Sequence, residues 1–230
     1  MKPFDDAFIK INDLVANKGI SLDYKNSKKL SNGKNSIIFK NDLAYELGGK
    51  DFGLGGYAIT NNKLLINSDE VILIGNDLPN IKSDCNFARI SLILVDDELS
   101  GENLFQKIRK IDYVRYHVNK EGYMVRISPT LLHEAVRVSK DLVKNKISFA
   151  SIGSEYIAKY HELPNVLAAK IIFITDNSFD YKSLNEFIIE QENITKALDH
   201  LVNKLNMDCN SCNLQKICAS VEELCADLKK

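Results

Sequence analysis

The chain has 230 residues, of which 45% are hydrophobic and 27% are charged, and its formal net charge is −1. This composition is typical of a soluble globular protein with enough apolar residues for a core. The balanced charge argues against nucleic acid or an anionic membrane as a partner. The first six residues lack the basic and apolar regions of a signal peptide, and the apolar runs are far shorter than a membrane span. We therefore expect a cytoplasmic protein.

The first 35 residues predict a helix followed by a loop. Over residues 5–17, the apolar positions Phe8, Ile11 and Val15 repeat at a spacing that places them on one helical face, and Gly19 then ends the helix. The stretch from Asn26 to Asn35 is rich in Ser, Asn and Lys, which is typical of a loop.

Residues 36–206 predict a single α+β domain with a mixed sheet and packed helices. Its first part contains short runs with β-branched or aromatic residues, separated by Gly, Asn and Asp. The predicted strands of this part are Ile37–Phe39, Leu43–Leu47, Tyr57–Thr60, Val71–Ile74 and Ile90–Val95.

Five glycines lie between Gly48 and Gly56. The segment lacks the Gly-Lys-Ser/Thr end of a phosphate-binding P-loop, and the residues after it predict a strand instead of a helix. We expect a loop with positive φ angles between two strands.

After residue 100, helices and strands are predicted to alternate. The predicted elements are a helix through Phe105, Ile108 and Ile111, a strand over Tyr123–Ile127, a helix over about Phe149–His161, a buried strand over Ala168–Thr175 and a helix over Tyr181–Asn206.

Another helix is predicted to begin at Ser128-Pro129, where Ser suits the N-cap and Pro the first turn. It would carry apolar residues from Leu131 to Val143. The predicted core includes Leu131, Val136, Ile171 and Phe173.

Residues 207–230 form a cysteine-rich tail in which Cys209, Cys212, Cys218 and Cys225 have the pattern Cys-x2-Cys-x5-Cys-x6-Cys. Thiolates are soft ligands that favour zinc or an iron–sulfur cluster over hard cations. Structural zinc sites usually have two close cysteine pairs separated by a longer loop, whereas one dense run is typical of cluster-binding segments. The pattern predicts a four-thiolate site for a [4Fe–4S] cluster, with zinc as the alternative, and we expect the tail to depend on metal for much of its order.

Two disulfides within the tail are conceivable, but a reducing cytosol argues against them. The fifth cysteine, Cys85, lies far from the others in sequence, and we interpret it as a small buried hydrophobic residue in or beside a strand. No pattern of a known catalytic motif is found outside the tail.

The chain resembles the middle domain of the acetyl-CoA synthase family, the β subunit of the carbon monoxide dehydrogenase/acetyl-CoA synthase complex, together with the start of its metal-cluster domain. The resemblance covers about residues 43–218. The motifs that carry it, in the family's order, are Tyr45–Gly49, Val71–Gly75 followed by Asp77-Leu78, Val125–Ser128, Ile152-Gly153 with Ala158-Lys159, and Ile171–Ile174 followed by Thr175-Asp176.

The resemblance implies that Cys209, Cys212, Cys218 and Cys225 are the four ligands of a [4Fe–4S] cluster, although the spacings after Cys212 are shorter than in the family. Two features of the family are missing. This chain has no Cys-Gly-Cys segment for nickel, and the Trp- and Arg-rich segment thought to handle coenzyme A is shortened to residues 119–124, without tryptophan.

These departures imply a protein that does not catalyse acetyl-CoA synthesis alone and at most supplies one part of a split enzyme. We expect an accessory or electron-transfer iron–sulfur protein of anaerobic one-carbon and carbon monoxide metabolism. Its expected partner is a redox protein or a subunit of the carbon monoxide dehydrogenase/acetyl-CoA synthase type. The alternative is a structural or interaction protein with a zinc-binding tail.

Overall fold

The computed structural model describes residues 1–30, 37–39, 41–49, 51–97, 101–118, 120–128, 133–203, 212 and 214–227. The described helices are α1 (Lys2–Val15), α2 (Gly101–Tyr113), α3 (Lys140–Lys144), α4 (Phe149–His161), α5 (Tyr181–Val202) and α6 (Gln215–Asp227). The described strands are β1 (Ile20–Ser21), β2 (Ala44–Leu47), β3 (Gly53–Thr60), β4 (Glu70–Ile74), β5 (Phe87–Val95), β6 (Tyr123–Ser128), β7 (His133–Ser139) and β8 (Val166–Ile174).

All eight described strands belong to one mixed sheet, so the fold is α+β, as the sequence predicts. The strand order is β1-β4-β8-β5-β3-β7-β2, and β6 also pairs with β7. The pairs β3/β5 and β4/β8 are parallel, and the other pairs are antiparallel. Strand β6 pairs with nearly the whole of one edge of β7, so β2 and β3 share the opposite edge of β7. Strand β3 meets β7 at the pair Leu54–His133, and β2 pairs with residues 136–139 of β7.

The sheet is covered on both faces, and alternate residues of its central strands belong to two core clusters. On one face, Ile93, Ile171 and Phe173 pack with residues of α2 and α4; on the other, Ile90 and Ile172 pack with residues of α1 and the first half of α5. Of the predicted core residues, Val136, Ile171 and Phe173 are fully buried, and Leu131 lies outside the described residues.

Helix α4 has the bounds that the sequence predicts, and its N-terminus is capped twice. The Ser148 hydroxyl accepts a hydrogen bond from the Ala150 amide, and the Asp77 carboxylate accepts one from the Phe149 amide at 2.7 Å. Such caps satisfy amide groups that have no partner within a helix. Asp77 thereby ties α4 to the segment that follows β4.

The helix predicted after Ser128 is wrong in its central part, where the structure has strand β7. Pairing with β6 on one edge and with β2 and β3 on the other satisfies the backbone of residues 133–139, and this tertiary pairing outweighs the local helical pattern. The helix begins only at α3, where the Ser139 hydroxyl accepts a hydrogen bond from the Leu142 amide.

Two smaller predictions are also wrong. Residues 37–39 are not in a strand, and three of the five glycines between Gly48 and Gly56 lie inside the buried strand β3 instead of in a loop. Gly48 does have the expected positive φ, of 80°. Within the described ranges, no helix has both the length and the apolar character needed to cross a lipid bilayer.

Candidate metal centre

Helix α6, in the described part of the cysteine-rich tail, packs against α1 and α5. Cys212 precedes α6, whose first turn is closed by a hydrogen bond from the Cys218 amide to the Leu214 carbonyl, and Cys225 lies near its end. Cys209 lies outside the described residues. The described cysteines are all half-buried, and no disulfide joins them.

Helix α6 is held to the domain by an apolar face. Leu214, Val221 and Leu224 are buried, and the helix contacts α5, α1 and α2. Cys218 and Cys225 share this face and pack against the same core cluster as Val221. The described part of the tail is therefore held to the domain by apolar contacts of α6.

The cysteine donors of the tail fit a soft metal, but those that the structure describes are not brought together. In the portion of the chain that the structure describes, no three His, Cys, Asp or Glu side chains converge closely enough to hold a metal ion. Cys218 and Cys225 are seven residues apart on one helix, about 10.5 Å at 1.5 Å per residue. Two sulfurs bound to one zinc ion lie at most about 4.6 Å apart, twice the Zn–S distance. With α6 formed, these two cysteines cannot both bind one ion.

Cys85 is half-buried and lies beside β2, where it forms an isolated β-bridge with Leu47. Its predicted position beside a strand is confirmed. Burial, and then the neighbouring Asp84 carboxylate, raise the pKa of its thiol to about 11. The thiol is thus protonated at neutral pH and is a weak nucleophile and metal ligand. It lines a pocket of about 430 Å³ together with Glu46, Asp84 and two asparagines.

A buried charged network, which the sequence analysis missed, lies on the sheet face that α4 covers. Arg89 of β5 and Glu134 of β7 are 1% and 0% exposed and form two hydrogen bonds, of 2.6 and 2.8 Å. The Arg89 guanidinium also donates to Ser91 and lies 4.8 Å from the ring centre of Tyr156. The one available signal is that Arg89 is the sole charged residue in the predominantly apolar run from Phe87 to Val95.

Burial alone would lower the pKa of Arg89, but the Glu134 carboxylate more than offsets this effect and the pKa lies well above its usual value. A second buried pair extends the network. Arg115 contacts Asp112, with Nε 3.1 Å from Oδ1, and its Nη1 donates to the Gly55 carbonyl of β3. Each of these four charges is matched by an opposite one, as expected of a structural ion-pair network.

We find no known protein family whose sequence model matches this chain, and no curated protein with significant similarity to it.

Proposed function

We propose that this chain is an iron–sulfur protein in which the thiolates of Cys209, Cys212, Cys218 and Cys225 bind a [4Fe–4S] cluster and the α+β domain serves as the scaffold. The observation that carries the proposal is the dense run of four cysteines within seventeen residues. Cys212, Cys218 and Cys225 lie in one short segment and are only half-buried, so they are not sealed within the core.

The resemblance to the acetyl-CoA synthase β subunit supports an accessory or electron-transfer role in one-carbon metabolism, in contact with a redox protein or a subunit of that complex. The nickel ligands of the family are not found in this sequence, and the described interior charges are engaged with one another. We therefore propose no catalytic step for this chain by itself.

A second candidate, a structural or interaction protein with a zinc-binding tail, is favoured by one observation. The buried residues Val221 and Leu224 fix α6 to the domain, as expected of a segment with a structural role. While α6 is formed, a zinc ion could take only one of Cys218 and Cys225, and the remaining ligands would have to come from elsewhere in the tail.

The two candidates differ in the metal that the purified chain retains. After anaerobic reconstitution with iron and sulfide, we expect a brown protein with about four irons per chain. Cys212→Ser should abolish iron binding and leave the thermal unfolding of the domain nearly unchanged, whereas the matched variant Cys85→Ser should bind iron as the parent does. Stoichiometric zinc without iron after this treatment would contradict the iron–sulfur proposal and support the alternative of a zinc-binding tail.

A further inference from the structure

The side of α6 that faces the domain carries both apolar anchors and candidate ligands. Val221 is fully buried, and Cys218 and Cys225 lie three residues before it and four after it, packed against the same core cluster. Residues at these spacings share one helical face. The contacts that dock α6 on the domain therefore use the same face as two of the four thiols.

Docking stabilises α6, which as a helix of 13 residues would be marginal in water by itself, and the helix keeps these two thiols apart. In an α-helix the side chains all incline toward the N-terminus, so the sulfurs of Cys218 and Cys225 point in similar directions and stay separated by about the axial rise of two turns, roughly 10.5 Å. A [4Fe–4S] cluster spreads its ligands more widely than one ion does, but it would have to occupy the side of α6 on which Val221 packs against the domain.

The cavity beside α6 is not lined by the two described cysteines of the helix. It has a volume of about 480 Å³ and lies between α6, α1 and α5, and its lining includes Ile194, Ile217 and Leu224 but neither Cys218 nor Cys225. These two cysteines instead pack against the core cluster that contains Val221.

We infer that docking of α6 and metal binding by both Cys218 and Cys225 are mutually exclusive states of the tail, so that metal loading releases α6 and uncovers the surface of α1 and α5 beneath it. This inference rests on the proposed function, because it requires that the tail bind a metal. It adds that metal binding changes the surface of the domain, because residues such as Ile194 are covered while α6 is docked and exposed once it is released.

If docking and metal binding exclude each other, the apparent affinity for the metal depends on how stably α6 is docked. If only the undocked tail can bind the metal, the apparent affinity is reduced by the fraction of chains in which α6 is undocked. A substitution that weakens docking without touching a cysteine should then strengthen metal binding. If the metal instead required a docked α6, the same substitution would weaken binding.

The test compares Val221→Ser, which places a hydroxyl at the docked face, with Ala226→Ser, which places it on an exposed position of the same helix. The full reduced chain, stripped with a chelator, is titrated with Zn²⁺ against a competing chelator. We expect Val221→Ser to bind Zn²⁺ about tenfold more tightly than the parent, as when the competent fraction rises tenfold, and Ala226→Ser to match the parent. Equal or weaker binding by Val221→Ser would overturn the inference.

Hydrogen exchange on the parent chain supplies a second readout that needs no variant. Amides of residues 214–227 should exchange faster after loading with Zn²⁺ or after cluster reconstitution than in the stripped protein; slower exchange on loading would overturn the inference. If neither the parent nor the variants bind Zn²⁺ or iron, the proposed function fails and the inference fails with it. Binding with unchanged exchange refutes the inference alone.

Discussion

Arg89 and Glu134 form an ion pair that crosses a strand. Arg89 lies opposite Gly55 in the β3/β5 register, and Glu134 comes from β7 on the far side of β3, so the two side chains meet above Gly55. A methyl group at position 55 would overlap the Glu134 carboxylate. The glycine therefore creates the space in which the pair forms.

Removing one partner of this pair should destabilise the domain strongly. Glu134→Leu leaves the Arg89 guanidinium buried without its carboxylate, and we expect a loss of about 3–5 kcal/mol in the free energy of unfolding. The double variant Arg89→Met/Glu134→Leu should lose much less, because no charge is then left uncompensated. Urea unfolding followed by circular dichroism measures both.

The control is the exposed pair Lys10–Glu190, whose side chains are 45% and 34% exposed. Glu190→Gln should cost less than about 1 kcal/mol, as is usual for surface ion pairs. Equal losses for Glu134→Leu and Glu190→Gln would contradict the assignment of the buried pair.

Gly55→Ala should be more destabilising than Gly56→Ala, although both glycines lie in the same strand. The added methyl group at position 55 meets the Glu134 carboxylate, which two hydrogen bonds hold in place. At position 56 the nearest atom is Cγ1 of Ile188, at the longer distance of 2.8 Å. Overpacking typically costs about 1–3 kcal/mol, and we expect Gly55→Ala at the upper end of this range. The midpoints of thermal unfolding of the two variants give the comparison, and a reversed order would refute it.

Ile171→Asp should abolish soluble expression. Ile171 is fully buried in β8, between β4 and β5, so the variant places a carboxylate in the core with no partner. Leu167→Asp is the matched control, because Leu167 belongs to the same strand but is 46% exposed. The soluble fraction after expression should drop for the first variant and stay near that of the parent for the second; similar solubility of both would show that β8 is misplaced.

Glu192→Gln should stabilise the protein at pH 7. Burial first, and then the Asp112 carboxylate, raise the pKa of Glu192 in the folded protein. The folded state therefore binds a proton at a pH at which the unfolded chain has released it, and stability falls as the pH rises through the raised pKa. Glutamine does not titrate, so the stability of the variant should not fall with rising pH for this reason.

The advantage of Glu192→Gln should shrink as the pH falls toward about 4, where the unfolded chain also becomes protonated. Urea unfolding at several pH values checks this trend. Glu186→Gln, at an exposed position of the same helix, should show no comparable gain. A gain for Glu192→Gln that does not depend on pH would contradict the electrostatic explanation.

The sequence predicts best those elements whose signals are local. Helix α4 is predicted correctly because Ser148 and the apolar repeat that follows mark it within a dozen residues. Strand β7 is missed although β6, one of its partners, directly precedes it, because the apolar spacing from Leu131 to Val143 also fits a helix and its other partners, β2 and β3, lie about eighty to ninety residues earlier. The pairing of Arg89 with Glu134 likewise cannot be predicted from the sequence, because no local pattern near either residue indicates its partner.

For the candidate metal site, the spacing of the cysteines identifies a donor set but not its geometry. The apolar residues Leu214, Val221 and Leu224 are buried against the domain. Cys218 and Cys225 lie on the same face of α6, so they pack against the domain as well. Cysteine is both a soft ligand and a small apolar residue, so a pattern of cysteines alone does not separate the two roles.

The position of β8 has a consequence for how the chain folds. β8 lies between β4 and β5, which precede it by more than seventy residues, so the edges of these two strands have no partner until the chain is complete beyond Ile174. Unpaired edges attract strands of other chains, and sheets built from such distant pairs form slowly, on a scale of about milliseconds to seconds. During synthesis, the first 165 residues therefore pass through a period in which they are more prone to aggregate than the finished protein.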